Sequence, residues 1–110
     1  MGFFSIVVVN FLFLIYYYFS KEEFIMSKDK KWYVYLLRCS DETLYCGITT
    51  DMGRRLSEHN HTARGSRYTR SRRPVELVGY FEEDSMSRAL SAERKIKKLR
   101  REEKIAVFLK

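Results

Sequence analysis

Tyr33, Tyr35, Tyr45, Arg55 and His59 are side chains whose types and spacing can do chemistry together. A guanidinium grips a phosphate through two parallel N–H donors, and a phenol or an imidazole beside it can move a proton. Strand alternation places Tyr33 and Tyr35 on one face, and Tyr45 shares a face with Gly47, where the missing side chain lets another group approach the backbone. Helical spacing puts Met52, Arg55, Leu56 and His59 on one stripe, at i, i+3, i+4 and i+7. Farther along, Glu93 lies mid-stripe with Met86, Ala89, Leu90, Ile96 and Lys97. A carboxylate there is either working or paired, since burying it alone is costly. The plain pairing is with Lys97 at i+4, worth about 0.2–0.5 kcal/mol. The plain reading of His59 is a surface imidazole at a helix C-terminus.

The elements that must hold these groups are set by pattern. Trp32–Arg38 and Leu44–Ile48 are rich in aromatic and branched residues, and Ser40 to Thr43 between them is turn chemistry, so the pair reads as a hairpin. Thr50 or Asp51 caps a helix that runs to His61. Thr62 to Pro74 is a basic loop carrying Arg64, Arg67, Arg70, Arg72 and Arg73 around Tyr68, a composition suited to a phosphate backbone with a base to stack on. Val75–Phe81 is a third strand, Asp84 or Ser85 caps a helix reaching about Leu99, and Glu102–Leu109 is a last helix in which Ile105, Ala106 and Phe108 close the core. The order β-β-α-β-α-α is a small α+β domain, a three-stranded antiparallel sheet flanked by helices.

The chain has 110 residues, room for one modest core, and a net charge of +7 with a pI near 9.5. Lys21, Glu22 and Glu23 are the only charges before residue 27, so the basic excess belongs to residues 27–110 and favours a polyanionic partner, nucleic acid first. Two cysteines, Cys39 and Cys46, without a CxxC pair exclude a disulfide scaffold and a structural zinc site, and suit a reducing, cytoplasmic setting. The first twenty-five residues do not match the rest. Phe3 to Phe19 is almost wholly apolar, at the short end of the ~20 residues that span a bilayer, with no basic residue before it. Met26-Ser27-Lys28 reads as an ordinary start, and Lys21-Glu22-Glu23 can be encoded by a purine-rich ribosome-binding sequence. Residues 1–25 are therefore expected to be translated upstream sequence from a misplaced start codon. The alternative is a membrane anchor that leaves the domain in the cytoplasm.

The hairpin and the helix after it resemble the GIY-YIG nuclease superfamily. The first signature triplet stands as Tyr33-Val34-Tyr35, the second as Tyr45-Cys46-Gly47, and the helical arginine matches Arg55. Tyr33 replaces the first glycine, and Ile48 stands where some relatives place a lysine. The resemblance spans residues 31–107, is nearest to the small single-domain bacterial members, and is similar to the nuclease subunit of structure-specific endonucleases, which carry a histidine at the place of His59. It implies a metal-dependent endonuclease acting on DNA, branched or damaged. Tyr35, Tyr45, Arg55, His59 and Glu93 would be catalytic, Glu93 would bind one Mg²⁺ or Mn²⁺, and Arg64, Arg67, Tyr68, Arg70, Arg72, Arg73 and Lys97 would meet nucleic acid. The alternative is a weak or inactive nucleic-acid-binding module that needs a protein partner for substrate selection.

Overall fold

The computed structural model describes residues 30–109; the apolar segment 1–25 lies outside them. The hairpin forms as β1 (Trp32–Arg38) and β2 (Leu44–Thr49). Its turn is held by Asp41, whose carboxylate accepts from the Thr43 hydroxyl at 2.6 Å and from the Thr43 backbone N–H at 3.2 Å. Glu42 takes a left-handed φ of 69° at the tip. β3 (Glu76–Glu83) pairs on the other side of β1, giving an antiparallel sheet of order β2-β1-β3.

Because β1 is central, both of its faces are buried, and alternation sorts its side chains into two layers. Val34 and Leu36 pack with Cys46, Ala89, Ile96 and Phe108 on one face. Tyr35 and Leu37 pack with Cys39, Val75 and the partly buried Tyr45, Met52, Leu56 and Tyr68 on the other. The two thiols are free and belong to opposite faces, which rules out a bridge between them.

Three helices lie close to expectation. α1 (Met52–His61) is capped by Asp51, whose side chain accepts from the Arg54 N–H at 3.0 Å. α3 (Met86–Lys97) is capped by Ser85, and α4 (Arg101–Phe108) opens with the Glu103 carboxylate accepting from the Arg100 N–H. The expected loop 62–74 is not structureless. Ser66 caps a four-residue helix α2 (Arg67–Arg70), accepting from the Thr69 N–H. The sequence signal for α2 was Ser66 itself, masked by the surrounding arginines. In α4, Ala106 is exposed and Val107 packs against the core beside Ile105 and Phe108. In α3, Met86 is 49% exposed, and the buried stripe centres on Ala89 and Ile96 instead. Among the described residues no helix is long and apolar enough to cross a membrane.

Candidate active site

Gly47 explains how the two tyrosine strands fit together. It sits opposite Tyr35 in the β1–β2 register, and a β-carbon added to it would overlap the Tyr35 phenolic oxygen. The group that approaches the bare backbone is therefore the ring of Tyr35. Laid across Gly47, Tyr35 is 1% exposed and its oxygen lies 2.8 Å from Nε2 of His59. His59 is fully buried rather than a surface cap, because α1 packs this side against the sheet. Its Nδ1 lies 2.7 Å from the hydroxyl of Thr69, itself fully buried. Burial, reinforced by Arg55, pushes the His59 pKa down to about 4, so the imidazole is neutral at physiological pH. Burial also pushes the Tyr35 phenol up to about 12, against the opposing pull of Arg55, so this tyrosine keeps its proton.

Arg55 is held from several sides. Its Nη1 donates to Glu58 Oε1 at 3.1 Å and to the Arg64 carbonyl at 2.9 Å, and its guanidinium also faces the Tyr35 oxygen. Burial disfavours its charge, but the nearby Tyr35 oxygen and the bond to Glu58 more than offset this and raise its pKa. Glu58, 8% exposed, also reaches Arg54 at 3.4 Å, and its bond to Arg55 keeps its carboxyl below the usual range. Glu58 was missed from sequence; its spacing three residues after Arg55 and four after Arg54 was the available signal.

Tyr45 is the more open phenol. Its ring meets His59 edge-on at 5.2 Å and stacks on Tyr68 at 6.0 Å between centroids. It lines a groove of about 220 Å³ shared with Leu36, Leu44, Cys46, Tyr68, Lys97 and Lys104. These residues come from both faces of the sheet, so the groove wraps the outer edge of β2. Glu93 approaches from α3, close enough for its charge to act on Cys46, and its Oε1 lies 2.5 Å from Lys97 Nζ.

The basic segment divides in two. Arg73 clamps the end of α1, donating to the carbonyls of His59, Glu58 and Thr62. The tight seat of Gly65 against Glu58 and His59 belongs to the same junction. Arg72 pairs with Asp41 at 3.0 Å and stacks over the Tyr68 ring at 3.8 Å. Arg64, Arg67 and Arg70 are exposed, and their side chains make no hydrogen bond or ion pair among the described residues.

The model of the GIY-YIG catalytic domain matches residues 31–106. The chain belongs to the GIY-YIG family. A UPF0213 protein of Syntrophus aciditrophicus is 51% identical over 83 residues, covering 76% of this chain and 92% of that one. A UPF0213 protein of Cupriavidus necator is 49% identical over 74 residues, covering 67% and 79%. The solution NMR structure of a UPF0213 protein from Bacillus halodurans is 38% identical, with a TM-score of 0.45 over 70% of this chain and 81% of that one. A GIY-YIG domain implies nuclease activity and hence nucleic-acid binding, and GIY-YIG nucleases generally use a divalent metal.

The donor set in this GIY-YIG domain suits such an ion in one way only. Among the described residues no three His, Cys, Asp or Glu side chains cluster. Glu93, its side chain 17% exposed, is a single carboxylate paired with Lys97 of the groove lining. One carboxylate, with water and phosphate oxygens completing the shell, is the arrangement in which Mg²⁺ or a similar hard ion binds beside a phosphate.

Proposed function

We propose that this protein is a metal-dependent endonuclease that hydrolyses phosphodiester bonds of DNA, with branched or damaged DNA as its substrate class. The observation that carries the reading is the buried Tyr35–His59 pair set behind Arg55 and the more open Tyr45. In this reading Glu93 holds one Mg²⁺ or Mn²⁺, which supplies positive charge for the phosphate and the leaving oxygen. Arg55 holds the scissile phosphate, giving it the N–H donors not already fixed by Glu58. Tyr45, the more open phenol, orients the attacking water through its oxygen, and the proton the water loses passes to solvent, while Tyr35 is buried and keeps its own. Tyr35 and His59 act from behind, fixing Arg55 and the edge of Tyr45. Arg64, Arg67, Arg70, Tyr68 and Lys97 carry the flanking strand, whereas Arg72 and Arg73 shape the segment that presents them. The setting is the cytoplasm.

One observation favours a second reading, a nucleic-acid-binding module that cleaves weakly or only with a partner. The metal carboxylate and the phosphate guanidinium are both already paired inside the protein, Glu93 with Lys97 and Arg55 with Glu58.

The deciding experiment uses the full chain on single-stranded, duplex, flap and branched DNA, with Mg²⁺, Mn²⁺ or chelator. Metal-dependent nicking is expected, lost in Arg55→Ala and Glu93→Gln while DNA binding by Glu93→Gln persists. Salt-sensitive binding with no nicking on any substrate would sink the enzyme reading and leave the second.

A further inference from the structure

The proposed cleavage uses Tyr35 and Tyr45 and gives Tyr33 nothing to do. Tyr33 alternates onto the face of Tyr35, two residues and about 7 Å back along β1. On β3 the cross-strand partner of Tyr33 is Glu82 and that of Tyr35 is Tyr80, so Tyr80 and Glu82 stand on this face too. The Tyr33 and Tyr80 rings meet edge to face, with centroids 5.6 Å apart at 79°. With Thr50, Asp51 and Met52 at the start of α1, these three side chains line a cavity of about 250 Å³. It shares no lining residue with the groove at Tyr45, and Met52 stands one helical turn before Arg55.

The lining selects its occupant. Tyr80 is 52% exposed, a large ring left to water on a face whose other half is packed. Asp51 spends one carboxylate oxygen on the Arg54 N–H. Glu82 makes no side-chain hydrogen bond or ion pair among the described residues, whereas Asp84 is paired with Lys31. In a chain of net charge +7, this cavity holds two carboxylates and no basic side chain. Such a lining repels a phosphate and accepts from amines, while the rings stack on a flat π-surface. A nucleobase offers both the surface and the amines. Guanine sets N1–H and its amine side by side, matched to the two oxygens of one carboxylate; cytosine has one amine, and thymine flanks its single N–H with carbonyls. A paired base spends that edge on its complement, so the base read here is unpaired.

We propose that the cavity between β3 and the start of α1 is a nucleobase subsite for an unpaired, amine-bearing base, guanine before cytosine, on the strand whose phosphate Arg55 holds. The base stacks on the Tyr33–Tyr80 pair and donates to Glu82, with Asp51 as a second acceptor. Backbone and base then part company at this face: the arginines take the phosphates, and the acidic, aromatic cavity takes the base. The place beside the cut rests on the nuclease reading; the base preference is read from binding alone.

The test measures binding of the full chain, with chelator present, to short single-stranded thymidine oligonucleotides whose central base is guanine, cytosine, thymine or absent. Guanine should bind about 10-fold more tightly than thymine, with cytosine between them. Tyr80→Ala should weaken the guanine oligonucleotide about 10-fold and leave the abasic one unchanged, and Tyr80→Phe should stay close to wild type. Glu82→Gln should weaken guanine and strengthen thymine, closing the gap from both sides. Both side chains are exposed, so these variants keep the fold. Equal affinity of the wild type for all four oligonucleotides overturns the subsite and leaves the cavity to a basic side chain of a protein partner. So does a guanine preference that survives both Tyr80→Ala and Glu82→Gln. A guanine preference that both variants abolish, in a protein that nicks no DNA, supports the subsite and counts against the nuclease reading instead.

Discussion

The sheet buries hydrocarbon under α3 and α4, and hydrogen-bonded chemistry under α1 and α2. Val34, Leu36, Ala89, Ile96 and Phe108 fill the first face, whereas Tyr35, Glu58, His59 and Thr69 are enclosed at the second. A single strand, β1, feeds both through its alternation. The difference shows how a small domain can carry a buried polar cluster: one face supplies cohesion that tolerates no polar atom, and the other holds polar atoms because each has a partner. Tyr45 and Lys97, the partner of Glu93, then line one groove at the β2 edge, where the two faces come together.

The sharpest way to break that comparison is to damage each face once. Leu36→Ala should lower unfolding free energy by about 2–5 kcal/mol, read by chemical denaturation. His59→Leu nearly keeps the volume but removes the hydrogen-bond partner of the buried Tyr35 hydroxyl, at about 1–3 kcal/mol, while Thr69 keeps its bonds to Ser66. Nicking should fail in His59→Leu at temperatures where the protein remains folded. If it did not, the polar face would be packing alone.

Acid separates the faces next. His59 stays neutral in the fold down to about 4, whereas the same ring in the unfolded chain takes a proton near 6.5. Above about 6.5 neither state is protonated and the fold keeps this contribution in full. As pH falls from there toward about 4, only the unfolded chain gains the proton, and stability drops by up to about 3 kcal/mol before levelling off. Glu58, whose carboxyl Arg55 holds low, loses its own contribution at more acid pH, as the carboxylate takes up a proton. Denaturation midpoints between pH 8 and pH 4 check this, and His59→Leu should flatten the upper part of the curve.

The smallest effects fall outside both faces. Arg67→Gln and Arg70→Gln should leave stability within about 0.5 kcal/mol, and each should reduce the salt dependence of DNA binding by about one phosphate contact. Arg73→Gln should do the reverse, costing stability through the α1 end it clamps. Equal salt slopes in all three variants would erase the division of the basic segment.

Periodicity made most of the fold legible from sequence. The strands, the three longer helices and their caps lie within a few residues of where alternation, helical spacing and Asp51 or Ser85 put them. The triplets around Tyr35 and Tyr45 gave the family. Two kinds of fact were not legible. Alternation says which face His59 shares, not that the face is sealed, so its burial and its bond to Thr69 depended on where the 62–74 segment folds back. Composition likewise treated five arginines alike, although Arg72 is set apart by a carboxylate, and Arg73 by carbonyls, far off in sequence.

Cys39 and Cys46 give the protein a native pair of clocks. Each is a free thiol enclosed in a different face, and burial raises the pKa of both, that of Cys46 to about 12. A thiol reagent meets a reactive thiolate only when the enclosing layer opens. Labelling rates at the two sulfurs therefore time the opening of each layer separately, with no engineered probe. The order in which they are modified under native conditions reports which half of the molecule breathes first.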